Sequence, residues 1–180
     1  NNGGAQLSGD FTVDQLLAEP ETVSPLRKHD CCPISDGAAA MIICTVEKAK
    51  AMGKHYAVIK GIDHRIETHH VTLRDLSRSP SVEIAAEKAG VHDAPVDVAE
   101  IYAPFSHQEI IVKRALGLDD SVAINPSGGV LAGHLFMASG LSRVGEVAKR
   151  IIAGEYKRGV AHATSGPCLQ QNMITVLEGM

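Results

Sequence analysis

The order in which apolar periodicities change along the chain is what most constrains its fold. Continuous apolar runs of strand length alternate with stretches of helical spacing, and glycines close the helices. The run Gly37 to Val46 fits a buried strand or a buried helix by periodicity alone. Its position favours a strand, because a charged helical stretch, Glu47 to Met52, follows directly and stops at Gly53. A second strand is expected at Tyr56 to Ile62. The next helix has Ser79 to cap it, Pro80 for its first turn and Gly90 for its stop. A third strand is expected at Asp97 to Tyr102. Ser106 and Glu109 have the spacing of a capping box that opens a helix running to Leu116, before Gly117. A loop then runs from Asp119 to His134. The longest helix follows, with Met137, Leu141, Val144, Val147, Ala148 and Ile151 at spacings of three and four up to Gly154. Two strands close the chain, Val160 to Ser165 and Met173 to Leu177. This alternation argues for a layered α/β domain with right-handed crossovers. The adjacent last strands argue for a mixed sheet.

Composition narrows the function classes. Aromatic residues are 3% of the chain and Trp is missing, so Ala, Val, Ile and Leu must build the core. The net charge of −4 and the lack of a Lys or Arg run speak against a nucleic-acid surface. No apolar stretch approaches the roughly 20 residues of a membrane span. The four cysteines have no C-x-x-C spacing, so no metal site is expected. Reduced thiols in a cytoplasmic setting are the simplest reading. Asn1-Asn2-Gly3-Gly4 reads as a flexible start without an initiator Met, and a short helix from Phe11 to Leu17 is expected to end at Pro20. The division expected is a flexible lead and short helix over 1–20 and one domain over 21–180.

Three segments are candidates for chemistry. Ala99-Glu100-Ile101-Tyr102-Ala103-Pro104-Phe105-Ser106 spans a strand end and a helix start, where α/β sheets hold ligands. Tyr102 offers a hydroxyl there, unless it is a part-buried Tyr with one structural hydrogen bond. Asn125-Pro126-Ser127-Gly128-Gly129 leads through Gly133 to His134. A helix start disfavours a charged imidazole, so a neutral, hydrogen-bonding His134 suits this place. Gly128 and Gly129 let backbone approach a ligand. The alternative is a structural turn with an exposed His. In Ser165-Gly166-Pro167-Cys168, a tight turn carries Cys168 near its tip, as a reactive or an inert thiol.

Taken in order, these segments resemble thiolases. Asn125 to Gly129, Gly133-His134 and Ala138-Ser139-Gly140 resemble the family's N-x-x-G-G … G-H-P-x-G-x-x-G signature. Ala99 to Phe105 resembles its E-[NH]-x-x-F motif. Cys32-Pro33-Ile34-Ser35-Asp36-Gly37-Ala38-Ala39-Ala40 resembles the D-G-A-A-A strand that opens the C-terminal half. Within that family the chain resembles the sterol-carrier-protein-x type thiolases and the bacterial lipid-transfer-protein homologues, which share stretches like Cys32-Pro33-Ile34-Ser35-Asp36-Gly37 and Ser165-Gly166-Pro167-Cys168. Three departures stand out. Tyr102 replaces Asn or His, and Leu135 replaces the Pro after the loop His. Cys168 lies two residues beyond the position of the family's last Cys, which falls on Gly166.

The resemblance implies a thiolase-like C-terminal half, a five-stranded mixed sheet with helices on both faces. It implies Claisen condensation or thiolytic cleavage of a 3-ketoacyl-CoA, with a coenzyme A thioester as substrate and no bound cofactor. His134, Tyr102 and Cys168 would be the catalytic groups, and Asn125, Gly128, Gly129 and Gly166 would approach the substrate. The family's nucleophilic Cys belongs to an N-terminal half, in the same chain or another subunit, so this chain alone would be inactive. A homo-oligomer is implied, and some homologues add a small OB-fold partner. Two other readings stay open: a thiolase-fold aldolase acting on a steroid or lipid side-chain acyl-CoA, and a non-catalytic half that binds acyl-CoA or a partner.

Overall fold

The computed structural model describes residues 5–180, so the flexible start expected at Asn1 to Gly4 lies outside the described residues. The lead forms a short helix, α1 (Val13–Ala18), whose Thr12 and Gln15 side chains cap each other's backbone N–H groups. A two-stranded hairpin that the sequence did not suggest follows: β1 (Glu21–Val23) and β2 (Leu26–Arg27). The other elements are α2 (Val46–Ala51), β3 (Ala57–Ile66), α3 (Pro80–Lys88), β4 (Val98–Glu100) and α4 (Ser106–Ala115). They continue with β5 (Ala123–Ile124), α5 (Ser139–Ile152), β6 (Arg158–Ser165) and β7 (Gln171–Gly179).

The main sheet has five strands in the order β3-β7-β6-β4-β5. β7 runs antiparallel to β3 and β6, whereas β4 runs parallel to β6 and β5, so the sheet is mixed as expected. Alternation along each strand divides the core between the two faces. Ala99, Val160, Ile174 and Val176 pack with Val82, Ala85 and Ala86 of α3 and Val112 of α4. Val98, Ala161 and Leu177 pack with Val144, Val147 and Ile151 of α5. Helices therefore cover both faces.

The membership of the sheet differs from expectation. The run Gly37 to Val46 is not a strand: it is irregular backbone up to α2, and Ile42 and Ile43 are 94% and 71% exposed. A strand needs a neighbour for its N–H and C=O groups as well as apolar side chains. This run has no such neighbour among the described residues. The fifth strand is instead β5, which lies inside the stretch expected to be loop.

Two helix starts also differ. Ser79 does precede α3, but its hydroxyl bonds the Glu67 carboxylate instead of capping the helix. Ser106 is the first residue of α4 and not its cap. Its hydroxyl donates to Asp30 Oδ1 at 2.7 Å, and Glu109 accepts from Asn125 at 2.5 Å. Both members of the expected capping box thus make contacts distant in sequence. The glycine stops do hold: Gly53, Gly90, Gly117 and Gly154 all adopt positive φ just beyond α2, α3, α4 and α5.

Candidate active site at the sheet end

The candidate site forms where β4 ends. Beyond Glu100 the chain leaves the sheet through Ile101, and the next residue, Tyr102, is part-buried with its hydroxyl aimed across to the Gly-rich loop. Tyr102 Oη lies 2.6 Å from His134 Nε2, with the rings edge to face. His134 is 8% exposed and also packs against the Phe136 ring. It precedes a 3-10 turn, Phe136–Ala138, that leads into α5, so it stands five residues ahead of the helix and not in its first turn.

Residues 31–35 form a strap that fixes both partners. Cys32 N donates to Pro104 O, two residues past Tyr102, at 2.9 Å. His134 N donates to Pro33 O at 3.1 Å, and Ser35 N donates to His134 O at 3.0 Å. The backbone of the strap is thus stitched to the β4 end on one side and to the His134 loop on the other. Ser139, buried at the start of α5, accepts from Leu135 N at 2.8 Å.

This setting favours uncharged groups. Burial lowers the His134 pKa, so its imidazole is neutral at neutral pH. Burial raises the Tyr102 pKa, nearby Cys32 adds to the rise, and the Ser139 hydroxyl opposes it. Burial also raises the Cys32 thiol, which stays protonated. The pair therefore holds a phenol and a neutral imidazole sharing a hydrogen bond. Either Tyr102 O–H donates to Nε2, or Nε2–H donates to Oη, depending on the tautomer.

The loop is shaped from beneath by groups that sequence reasoning did not single out. Glu100 is fully buried in β4, and its carboxylate accepts from Ser127 N, Ser127 Oγ and Arg143 Nη1 at 3.0, 2.7 and 2.6 Å. Arg143 also reaches Ser127 Oγ at 2.8 Å. One sequence signal existed: Arg143 lies on the stripe Ser139, Arg143, Val147, Ile151 of α5, where a buried charge demands a partner. Asn125 adopts a positive φ and accepts from Ile101 N through Oδ1 at 2.6 Å. Its amide donates to Glu109, so its contacts here are with the scaffold. Gly129 has φ +61, and a Cβ there would meet Asn125 at 3.0 Å; at Gly128, φ is +88.

Cys168 is placed apart. β4 and β6 run parallel with Glu100 beside Ala161, so the β6–β7 turn lies beyond the same sheet end as Tyr102. The Cys168 side chain is exposed, and among the described residues no hydrogen bond joins it to Tyr102 or His134. Gly166, with φ +73, shapes this turn, since a Cβ there would strike Gln170. The structure thus joins Tyr102 to His134 directly, has Asn125, Gly128 and Gly129 form the loop, and keeps Gly166 and Cys168 in a separate turn. Among the described residues no cluster of three or more His, Cys, Asp or Glu could hold a metal ion, and no helix is long and apolar enough to cross a membrane.

Comparison with known proteins agrees with this architecture. The family model for the thiolase C-terminal domain matches residues 54–176. An acetyl-CoA acetyltransferase of Methanocaldococcus jannaschii is 32% identical over 173 residues, covering 81% of this chain and 44% of that protein. Sterol carrier protein 2 of Oryctolagus cuniculus is 27% identical, covering 96% of this chain and 36% of its own length. The crystal structure of the Bacillus anthracis acetyl-CoA acetyltransferase superposes with a TM-score of 0.73 at 21% identity, covering 96% of this chain and 44% of that chain. At that identity the match concerns the fold. The chain spans about half the length, or less, of the curated relatives it matches.

Proposed function

Because the chain belongs to the thiolase family, we propose that it is the C-terminal part of a thiolase-like acyltransferase that makes or cleaves the carbon–carbon bond of a 3-ketoacyl-CoA. The Tyr102–His134 pair carries this reading: two neutral groups capable of donation, 2.6 Å apart at a sheet end, under a glycine-rich loop. A Claisen step develops negative charge on a thioester oxygen, and fixed uncharged donors stabilise that charge without first losing a salt partner. His134 and Tyr102 supply such donors once the substrate oxygen takes the place of their mutual hydrogen bond, and Cys168, on the same end of the sheet, moves a proton. A coenzyme A thioester is the substrate, not a resident cofactor.

The site is completed by an N-terminal thiolase half, which brings the nucleophilic thiol, in the same polypeptide or as a separate subunit. Support for such a half comes from the run Gly37 to Val46. Its strand-like sequence, with Ile42 and Ile43 exposed, suits a strand whose sheet is supplied from outside this domain. A homo-oligomer follows from the same reading.

A second reading has its own observation. A phenol hydrogen-bonded directly to an imidazole is a proton-transfer pair, which suits a thiolase-fold aldolase that does not pass through an acyl-enzyme. Kinetics of the full-length protein separate the two. His134→Ala is expected to lower turnover of acetoacetyl-CoA with CoA about a hundredfold, the loss of one oxyanion donor. Tyr102→Phe, which removes only the hydroxyl, is expected to lower it less. Wild-type rates in the His134→Ala protein would refute the donor role. A wild-type protein that turns over no acetoacetyl-CoA with CoA but splits a 3-hydroxyacyl-CoA into a carbonyl product and an acyl-CoA, with Tyr102→Phe losing more of that rate than His134→Ala, would favour the aldolase.

A further inference from the structure

The turn that carries Cys168 is held in an unusual shape by a part-buried ion pair. Cys168 and Leu169 adopt φ values of +53° and +57° in succession. Side chains with a Cβ avoid that region, and two in a row persist only where their surroundings over-determine them. The loop between β3 and α3 supplies those surroundings. Arg74 donates from Nη2 to Cys168 O and from Nη1 to Pro167 O, the latter at 3.5 Å. Glu67 N donates to Gln170 O at 2.8 Å, and the Gln170 amide meets His69 Nδ1 at 2.8 Å. The turn is thus gripped on both sides of Cys168 while the thiol stays exposed.

The grip is anchored in the core. Arg74 Nε is 3.6 Å from Glu67 Oε2, and the two side chains are 5% and 12% exposed. Glu67 Oε1 accepts from Ser81 Oγ at 2.6 Å and from Ser81 N at 3.2 Å, at the start of α3. Asn172 in β7 donates to Ser81 Oγ and to Leu169 O, both at 2.7 Å. Leu169 itself is buried in the main core. A largely buried ion pair is a costly way to hold a surface turn, and it suits a task that needs one geometry.

We propose that Arg74 is a positioning residue for Cys168, fixing through the Pro167 and Cys168 carbonyls where the thiol stands when it moves a proton. This rests on the acyltransferase reading given above. The planar guanidinium reaches both carbonyls at once while its Nε edge faces the Glu67 carboxylate at ion-pair distance, 3.6 Å, an arrangement that neither Lys nor Gln reproduces. Small displacements of a reacting group cost turnover more than binding.

The test uses the full-length protein, acetoacetyl-CoA and CoA, with Arg74→Gln, Arg74→Lys, Cys168→Ala and the double variant Arg74→Gln/Cys168→Ala. Arg74→Gln is expected to lower kcat about tenfold or more with KM changed less than about threefold, and Arg74→Lys to recover part of the loss. In the Cys168→Ala background the Gln substitution is expected to add less than about twofold, because its effect passes through that thiol. If Arg74→Gln does not fold, Arg74→Lys is read in both backgrounds, with the same loss of effect expected without the thiol. An equal fold-loss in both backgrounds overturns the proposal, since Arg74 would then act elsewhere. So does an unchanged kcat in Arg74→Gln beside a reduced one in Cys168→Ala, and that outcome leaves the acyltransferase reading standing. An unchanged kcat in Cys168→Ala, or a wild-type protein that turns over no 3-ketoacyl-CoA, refutes the thiol's role itself and the positioning with it.

Discussion

Replacing Glu100 by Gln removes one charge and almost no volume, so it tests the support of the His134 loop without carving a cavity. The carboxylate takes three donors, two on Oε2 and one on Oε1. A Gln oxygen can replace only one of those atoms, and its amide group then faces a donor at the other. Arg143, 6% exposed, is left as a buried cation without its counter-charge. Removing one partner of such a pair costs about 3–5 kcal/mol, against about 1 kcal/mol for an ordinary neutral hydrogen bond. The assay is urea unfolding of the full-length protein, read at this domain's transition with an unchanged m-value. For a domain of this size the loss corresponds to roughly 6–20 °C in Tm. Replacing the pair together, as Glu100→Leu/Arg143→Leu, is expected to cost less than Glu100→Gln alone, because no buried charge is stranded. A Glu100→Gln loss under about 1 kcal/mol, or a double variant with the summed cost of its single changes, would refute the view that the network's value lies in mutual neutralisation.

Two further outcomes follow from the core and the loop. His162 is fully buried with Nε2 bonded to Asn172 Oδ1 at 2.9 Å, and burial lowers its pKa from 6.5 to about 4. The unfolded chain then binds a proton that the native state refuses. This group's contribution to stability is complete above about pH 6.5 and is lost as pH falls towards about 4, by about 3 kcal/mol. Unfolding free energies of wild type and His162→Gln measured across that window should converge towards the acid end; parallel curves would rule out His162 as the source. Gly129→Ala places a Cβ 3.0 Å from Asn125 at φ +61 and is expected to cost about 1–3 kcal/mol, with kcat reduced because the same loop carries His134. Unaltered melting and kcat would mean the loop tolerates the change.

Much of the fold was legible because it rests on local chemistry. The glycine stops after α2, α3, α4 and α5, and the apolar spacing of α5 along Val144, Val147 and Ile151, depend on backbone freedom and side-chain periodicity within a few residues. The pairing of Tyr102 with His134 could be anticipated because each lies at a junction where an α/β sheet places ligands, in motifs that resemble thiolases. Hydrogen bonding between distant segments was not legible. Ser79, Ser106 and Glu109 have the spacing of local caps, yet bond Glu67, Asp30 and Asn125. Nothing local marks Arg74 as the clamp on a turn more than ninety residues away in sequence. The run Gly37 to Val46 marks the boundary most clearly. Its residues carry the apolar preference of a buried strand, but a strand exists only where another takes up its backbone groups, and the sheet β3-β7-β6-β4-β5 is formed without it. Sequence determined which stretches were fit to be buried; the tertiary structure decided which of them found a partner, because pairing is a property of two segments and periodicity is a property of one.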